Sequence, residues 1–331
     1  MRIGFKFSPA AFGETPLEDL LTFAAQYGAS DVILGSYNRE NLVPGESRFE
    51  VDDLIALRKH VESFGVRLEA IENVPTRFYD QVMLGGPDRA KQIENMKHTV
   101  AAMGRAGIPI FGYNWMPSNV WRGSHNTPGR GGVQYTNYDH VEYADIAPTH
   151  GRLFDEREMW DLLEDWIRII TPVAEEEGIR MGIHPPDPPV QSIGGIPRLL
   201  YNFDAYRRLV NIVDSPANAI EFCQGTFSEF EDAAGDGIYN WIEEMAHRKK
   251  ILYVHFRNVS NAGIPFDEAF INTGYVDMYR AMKIYSDAGF DGVFIDDHVP
   301  ITIGDTEYGH RGRAFANGYI QALMDVIKRG R

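Results

Sequence analysis

Cysteine is nearly absent: Cys223 is the single thiol among 331 residues. No internal disulfide can form, which excludes a disulfide-stapled secreted scaffold. Cationic excess is missing too. Lys and Arg total 32 against 47 Asp and Glu, a formal net charge of −15. Such a surface repels nucleic-acid phosphates and anionic lipid, so neither nucleic acid nor membrane is an expected partner. No apolar run approaches the ~20 residues of a membrane span. The stretch Met1-Arg2-Ile3-Gly4-Phe5-Lys6-Phe7 lacks the apolar core and small-residue cleavage site of a signal peptide, and the expected location is the cytoplasm. No linker marks a second domain, so residues 1–331 are expected to form one.

What is present is ordinary globular material, 44% hydrophobic and 24% charged, arranged in a loose repeat. A helical pattern ends at a glycine, and an apolar run begins a few residues later. Gly28 precedes Asp31-Val32-Ile33-Leu34, Gly65 precedes Val66-Arg67-Leu68, and Gly107 precedes Ile108-Pro109-Ile110-Phe111. Gly178 and Gly289 stand likewise before Ile179 and Val293. Glycine just past a helix supplies a left-handed cap, and short apolar runs suit strands buried on both faces. Among the helices, Thr15 is an N-cap candidate with Pro16 at the first helical position. Met159, Leu162, Leu163, Trp166 and Ile170 fall at helical spacing. Strands are expected near residues 2–7, 31–34, 66–71, 108–113, 179–183, 218–222, 251–255 and 292–296. Eight strands alternating with helices predict a (β/α)8 TIM barrel, with a doubly wound open sheet as the alternative.

Two stretches break the rhythm. Residues 114–155 follow the fourth strand and contain a turn-rich run around Gly129-Arg130-Gly131-Gly132, read as a rim insertion serving as a lid or subunit contact. Residues 185–200, rich in proline, form a second rim loop after the fifth strand.

Four consecutive strand ends deliver His184, Cys223, His255 and Asp297. Each is about one β–α unit from the next, so no sequence-local zinc finger is possible and only the fold can bring them together. Taken singly, a cysteine is an ordinary buried hydrophobe and a strand-end histidine an ordinary hydrogen-bonded rim residue. Taken together on one barrel rim, imidazole, thiolate and carboxylate suit a divalent transition metal. Asp296 competes with Asp297, because alternation lets only one of them point inward. His298 stands where it can exchange protons with a metal-bound substrate, and Tyr308 is a second proton-transfer candidate.

These residues sit in stretches that resemble mannonate dehydratase, a xylose-isomerase-like barrel enzyme. The matching segments are Ile71-Glu72-Asn73-Val74-Pro75, Tyr113-Asn114-Trp115-Met116-Pro117 and His184-Pro185-Pro186-Asp187-Pro188-Pro189. Phe222-Cys223-Gln224-Gly225-Thr226, His255-Phe256-Arg257-Asn258-Val259 and Asp297-His298 continue the series. The resemblance covers most of the chain from about residue 66 onward. It implies that His184, Cys223, His255 and Asp297 bind one Mn2+ or Fe2+, and that His298 and Tyr308 form the proton-transfer pair. It places Asn114, Asp187, Arg257 and Asn258 around the substrate. It further implies dehydration of D-mannonate to 2-keto-3-deoxy-D-gluconate, and a homodimer or larger homo-oligomer. The chain departs from the family pattern at Phe5-Lys6-Phe7-Ser8, Gly35-Ser36-Tyr37-Asn38, Thr76-Arg77-Phe78-Tyr79 and Val299-Pro300. These changes spare the metal core and alter the walls facing the far end of a sugar acid. A metal-dependent isomerase or epimerase, and a non-catalytic sugar-acid binder, are the competing readings.

Overall fold

The computed structural model describes residues 1–8, 15–35 and 43–330. Its main strands are β1 (Arg2–Phe7), β2 (Asp31–Gly35), β3 (Arg67–Glu72), β4 (Ile110–Tyr113), β5 (Arg180–Ile183), β6 (Asn218–Cys223), β7 (Ile251–His255) and β8 (Val293–Ile295). All pair in parallel with their sequence neighbours, and β1 also pairs with β8, Arg2 opposite Val293 and Ile3 opposite Phe294. That last pairing closes the sheet and excludes the open alternative. Each strand is followed by an outer helix: α1 (Leu17–Gln26), α2 (Val51–Glu62), α3 (Arg89–Arg105), α4 (Glu156–Glu176), α5 (Phe203–Ile212), α6 (Gly237–His247), α7 (Met278–Asp287) and α8 (His310–Arg329).

Two-residue alternation sorts the strand side chains. Val32 and Leu34 pack outward into the main core with Leu20 and Leu21 of α1, whereas Ile33 joins the inner cluster with Ala70, Ala219, Tyr253, Val293 and Ile295. Following the same inner columns toward the carboxyl ends replaces apolar side chains with polar ones. Ala70 leads to Glu72, Ala219 to Glu221 and Cys223, Tyr253 to His255, and Ile295 to Asp297. Gly112 of β4 is required by this crowding. A Cβ there would stand 2.7 Å from Glu221 Oε2 and run into the Tyr253 hydroxyl.

The helix caps follow the sequence reading with one correction. Gly28 and Gly178 adopt φ of 76° and 67°, as left-handed caps do. Thr15 is not the N-cap of α1. Pro16 is extended, with ψ of 147°, so the helix begins one residue later, without a side-chain cap. Met159, Leu163, Trp166 and Ile170 of α4 are buried as the spacing predicts, and Leu162 is half-buried against them.

The rim insertion is tied down on two sides. Its Asn137–Tyr138 strand pairs antiparallel with Phe266–Asp267 of the β7–α7 loop, and Gln134 bridges Ile301 of the β8–α8 loop. Ser36, Tyr37 and Asn38, one of the departures from the family pattern, lie outside the described residues. Among the described residues, no helix is long and apolar enough to cross a membrane.

Candidate active site

β5, β6 and β7 deliver His184, Cys223 and His255 to one point, where their ligand atoms all lie within 4.8 Å of one another. Asp297, two residues past β8, completes the group. Its Oδ2 is 3.6 Å from His255 Nδ1 and 3.8 Å from Cys223 Sγ. The rival Asp296 turns the other way, to Arg313 of α8. Alternation separates the two carboxylates, one to the barrel mouth and one to the helix layer.

The donor set fits a soft-to-borderline divalent cation. His184 Nδ1 lies 2.6 Å from the Pro185 carbonyl, a contact that places its proton there and leaves Nε2 for a ligand. His255 Nδ1 is buried and has no hydrogen-bond partner among the described residues. Burial resists ionisation of the Cys223 thiol, but Arg257 and His184 outweigh it and pull the thiol down to about 5. The thiolate is the form that binds metal. Burial likewise opposes charge on Asp297, yet His298, His255 and Lys6 hold it well below the usual carboxylate range.

Charged side chains that the residue patterns did not single out surround this group. Lys6 of β1 pairs with Glu72 and lies 3.7 Å from Asp297 Oδ1. Glu72 and Glu221 approach His255 Nε2 at 3.0 and 3.2 Å. A signal for them existed. Lys6, Glu72 and Glu221 are charged residues inside apolar strand runs, and Glu221 shares its inward column with Cys223 two residues on.

His298 stands at the mouth. Its Nδ1 is 2.8 Å from Glu268 Oε1, 3.1 Å from Arg257 Nη1 and 3.2 Å from Arg122 Nη2. Arg122 comes from the rim insertion, so that insertion contributes directly to the site. It also reaches Asp187 Oδ2 at 2.6 Å. Arg257 is a hub for four carboxylates: Asp187 at 3.3 Å, Glu268 at 3.3 Å, Asp297 at 3.4 Å, and Glu229 in direct contact. Asp187 is thus held between two guanidiniums at 2% exposure.

Two of the remaining expected residues have structural partners. Asn258 donates to the carbonyls of Ile271 and Val276 and accepts from the Val259 amide, fastening the β7–α7 loop. Asn114 donates to Asn73 Oδ1 at 2.7 Å, linking the ends of β3 and β4. Tyr308 is buried, its ring against Phe7 and its hydroxyl 3.3 Å from the Lys6 carbonyl. Burial holds its phenol well above the ordinary range.

Residues 12–152 and 149–331 match the D-mannonate dehydratase (UxuA) family. The mannonate dehydratase of Streptococcus pneumoniae (strain 70585) is 27% identical over 99% of this chain and 94% of its own length. Mannonate dehydratase 2 of Halalkalibacterium halodurans is 29% identical over 83% of this chain and 87% of its own. The crystal structure of mannonate dehydratase from Streptococcus suis serotype 2 superposes with a TM-score of 0.88 at 28% identity, covering 100% of this chain and 94% of that one. A D-tagatose 3-epimerase-like protein aligns with a TM-score of 0.64 at 13% identity, over 100% of this chain and 99% of that one, a likeness of fold alone.

Proposed function

The chain belongs to the D-mannonate dehydratase family, and from that premise we propose that this hydro-lyase converts D-mannonate to 2-keto-3-deoxy-D-gluconate and water with one Mn2+ or Fe2+. The observation that carries the reading is the convergence of His184, Cys223 and His255 within 4.8 Å, with Asp297 beside them. These four residues would hold the metal. When bound, a divalent cation offsets the negative charge that develops as the proton beside the substrate carboxylate is removed.

The chain's own residues supply the proton transfers. The reaction breaks the C2–H bond, forms C2=C3 as the C3–O bond breaks, and releases water. The resulting enol becomes the 2-keto acid as C3 takes up a proton. His298 Nδ1 faces the Glu268 acceptor at 2.8 Å and the Arg257 and Arg122 donors at 3.1 and 3.2 Å, and we take the shortest of these contacts, to Glu268, to hold a proton on Nδ1. Nε2 is then free to take the C2 proton. Burial raises the Tyr308 phenol and keeps it protonated, which disfavours it as the base and leaves it the candidate donor to the departing C3 hydroxyl. In this assignment His298 is the base and Tyr308 the acid of the expected proton-transfer pair. Arg122 and Arg257 bring positive charge to the same mouth, where a sugar-acid carboxylate would lie.

The test is release of keto-deoxy acid from a panel of hexonates by chelated enzyme resupplied with Mn2+. D-mannonate is expected to give the highest kcat/KM. A hexonate other than mannonate leading the panel would overturn the substrate. An epimerised product without loss of water would overturn the reaction.

A further inference from the structure

Resting on the metal-centre reading above, we propose that Glu72 is the positioning residue that sets His255 for metal binding, with Lys6 as its counter-charge. The argument begins in the barrel interior. Glu72 ends β3 at 1% exposure, and its Oε2 lies 3.0 Å from His255 Nε2. His255 itself is fully buried. An ionised carboxylate only accepts hydrogen bonds, so this contact places the imidazole proton on Nε2. Nδ1 is the nitrogen left to face the ligand group.

That nitrogen is where the second observation lies. Nδ1 is buried, has no hydrogen-bond partner among the described residues, and stands 3.6 Å from Asp297 Oδ2. At 3.6 Å the two atoms face each other in a dry interior without closing to hydrogen-bond distance. A cation bound by both atoms bridges that gap. The carboxylate–imidazole contact on the far nitrogen then does two things: it fixes the ring's orientation and makes Nδ1 a stronger donor to metal.

Glu221 is the competitor for this role, because its Oε1 is 3.2 Å from the same Nε2. Two features favour Glu72. Its approach is shorter, and its other oxygen is in contact with Lys6 Nζ, which supplies a fixed positive charge inside the barrel. Both oxygens of Glu221 lack a hydrogen-bond partner among the described residues. Lys6 also lies 3.7 Å from Asp297 Oδ1, so one ammonium orders the Asp297 ligand together with the carboxylate behind His255.

The test measures metal binding rather than turnover. Full-length protein is stripped by chelation, dialysed, and titrated with Mn2+ alone by calorimetry as wild type, Glu72→Gln and Glu221→Gln, each checked for native circular dichroism. Glu72→Gln is expected to weaken Mn2+ binding about 10–100-fold, and Glu221→Gln to weaken it less. Glu72→Gln binding as wild type does, or Glu221→Gln having the larger effect, overturns the assignment to Glu72 while leaving the metal centre standing. Wild-type protein that takes up no Mn2+ overturns the metal centre and this inference with it. Should Glu72→Gln fail to fold, 15N spectra of histidine-labelled, metal-free wild type decide the point. Read at a pH where the ring is neutral, a proton on His255 Nε2 alone supports the proposal, and a proton on Nδ1 alone overturns it.

Discussion

Cys223 and His298 lie in one site but are expected to fail differently when replaced. Cys223 belongs to the converging ligand group, so Cys223→Ala should lose bound Mn2+ and turnover together. His298 faces Glu268 and two arginines at the mouth, so His298→Asn should retain Mn2+ while kcat falls about 10²–10⁴-fold, the usual worth of a general acid or base. Metal analysis beside steady-state kinetics separates the two. A His298→Asn protein with wild-type kcat would remove His298 from the chemistry, and a Cys223→Ala protein with full metal content would remove Cys223 from the ligand set. The residue scale is also where sequence reading reached furthest. A lone cysteine, two strand-end histidines and an Asp-His pair carry their chemistry in their identity. Glu72, Glu221 and Lys6 were harder, because a charge in an apolar run announces an anomaly without naming its partner.

Among the elements, α8 depends on a cap that its own first residues do not provide. Gly309, at φ of 83°, precedes it without a side-chain bond. Asp305 does the capping from outside the helix, accepting from the amides of Thr306 at 2.8 Å, Arg311 at 2.9 Å and Gly312 at 3.0 Å. Burial opposes the charge, but these amides outweigh it and hold the Asp305 carboxyl below its ordinary range. Asp305→Ala is expected to cost about 0.5–2 kcal/mol, as loss of an N-cap does. A depressed carboxyl contributes its stability above the unfolded pKa of about 3.9 and loses it as pH falls through the folded value. The gap between wild type and variant in urea unfolding should therefore be full at neutral pH and close below about pH 4. A gap that is constant with pH would show that the carboxylate charge is not what caps α8. The helix matters to the site because Arg313, in its first turn, holds Asp296 away from the barrel mouth.

For the whole molecule, the four expected ligands come from strands spread over half the barrel circumference, β5 through β8. A metal that joins them cross-links the closing arc of the sheet, and it binds only where that arc is already assembled. Folding and metal binding are thereby linked. Mn2+ at about a thousand times its Kd should stabilise the fold by about 4 kcal/mol. The expected outcome is a Tm that falls on chelation, returns with Mn2+, and rises further with Mn2+ concentration. A Tm indifferent to Mn2+ would count against a resident metal. The rim insertion belongs to this scale too. It is anchored to the β7–α7 and β8–α8 loops and sends Arg122 to Asp187 and His298.

The sequence by itself determined the eight alternating strand–helix units, the strand positions and the identity of the expected ligands, and left a barrel and an open sheet as the choices. Those follow from local causes: two-residue alternation, glycine after five of the helices, and the short reach of apolar runs between them. Only the tertiary structure decided which distant charges meet. Lys6 comes from the end of β1, Glu72 from the end of β3 and Arg122 from an aperiodic loop, so nothing in spacing links them to His255 or His298. The physical reason is barrel closure. Pairing β1 with β8 brings the first strand beside the last, and side chains hundreds of residues apart share one interior.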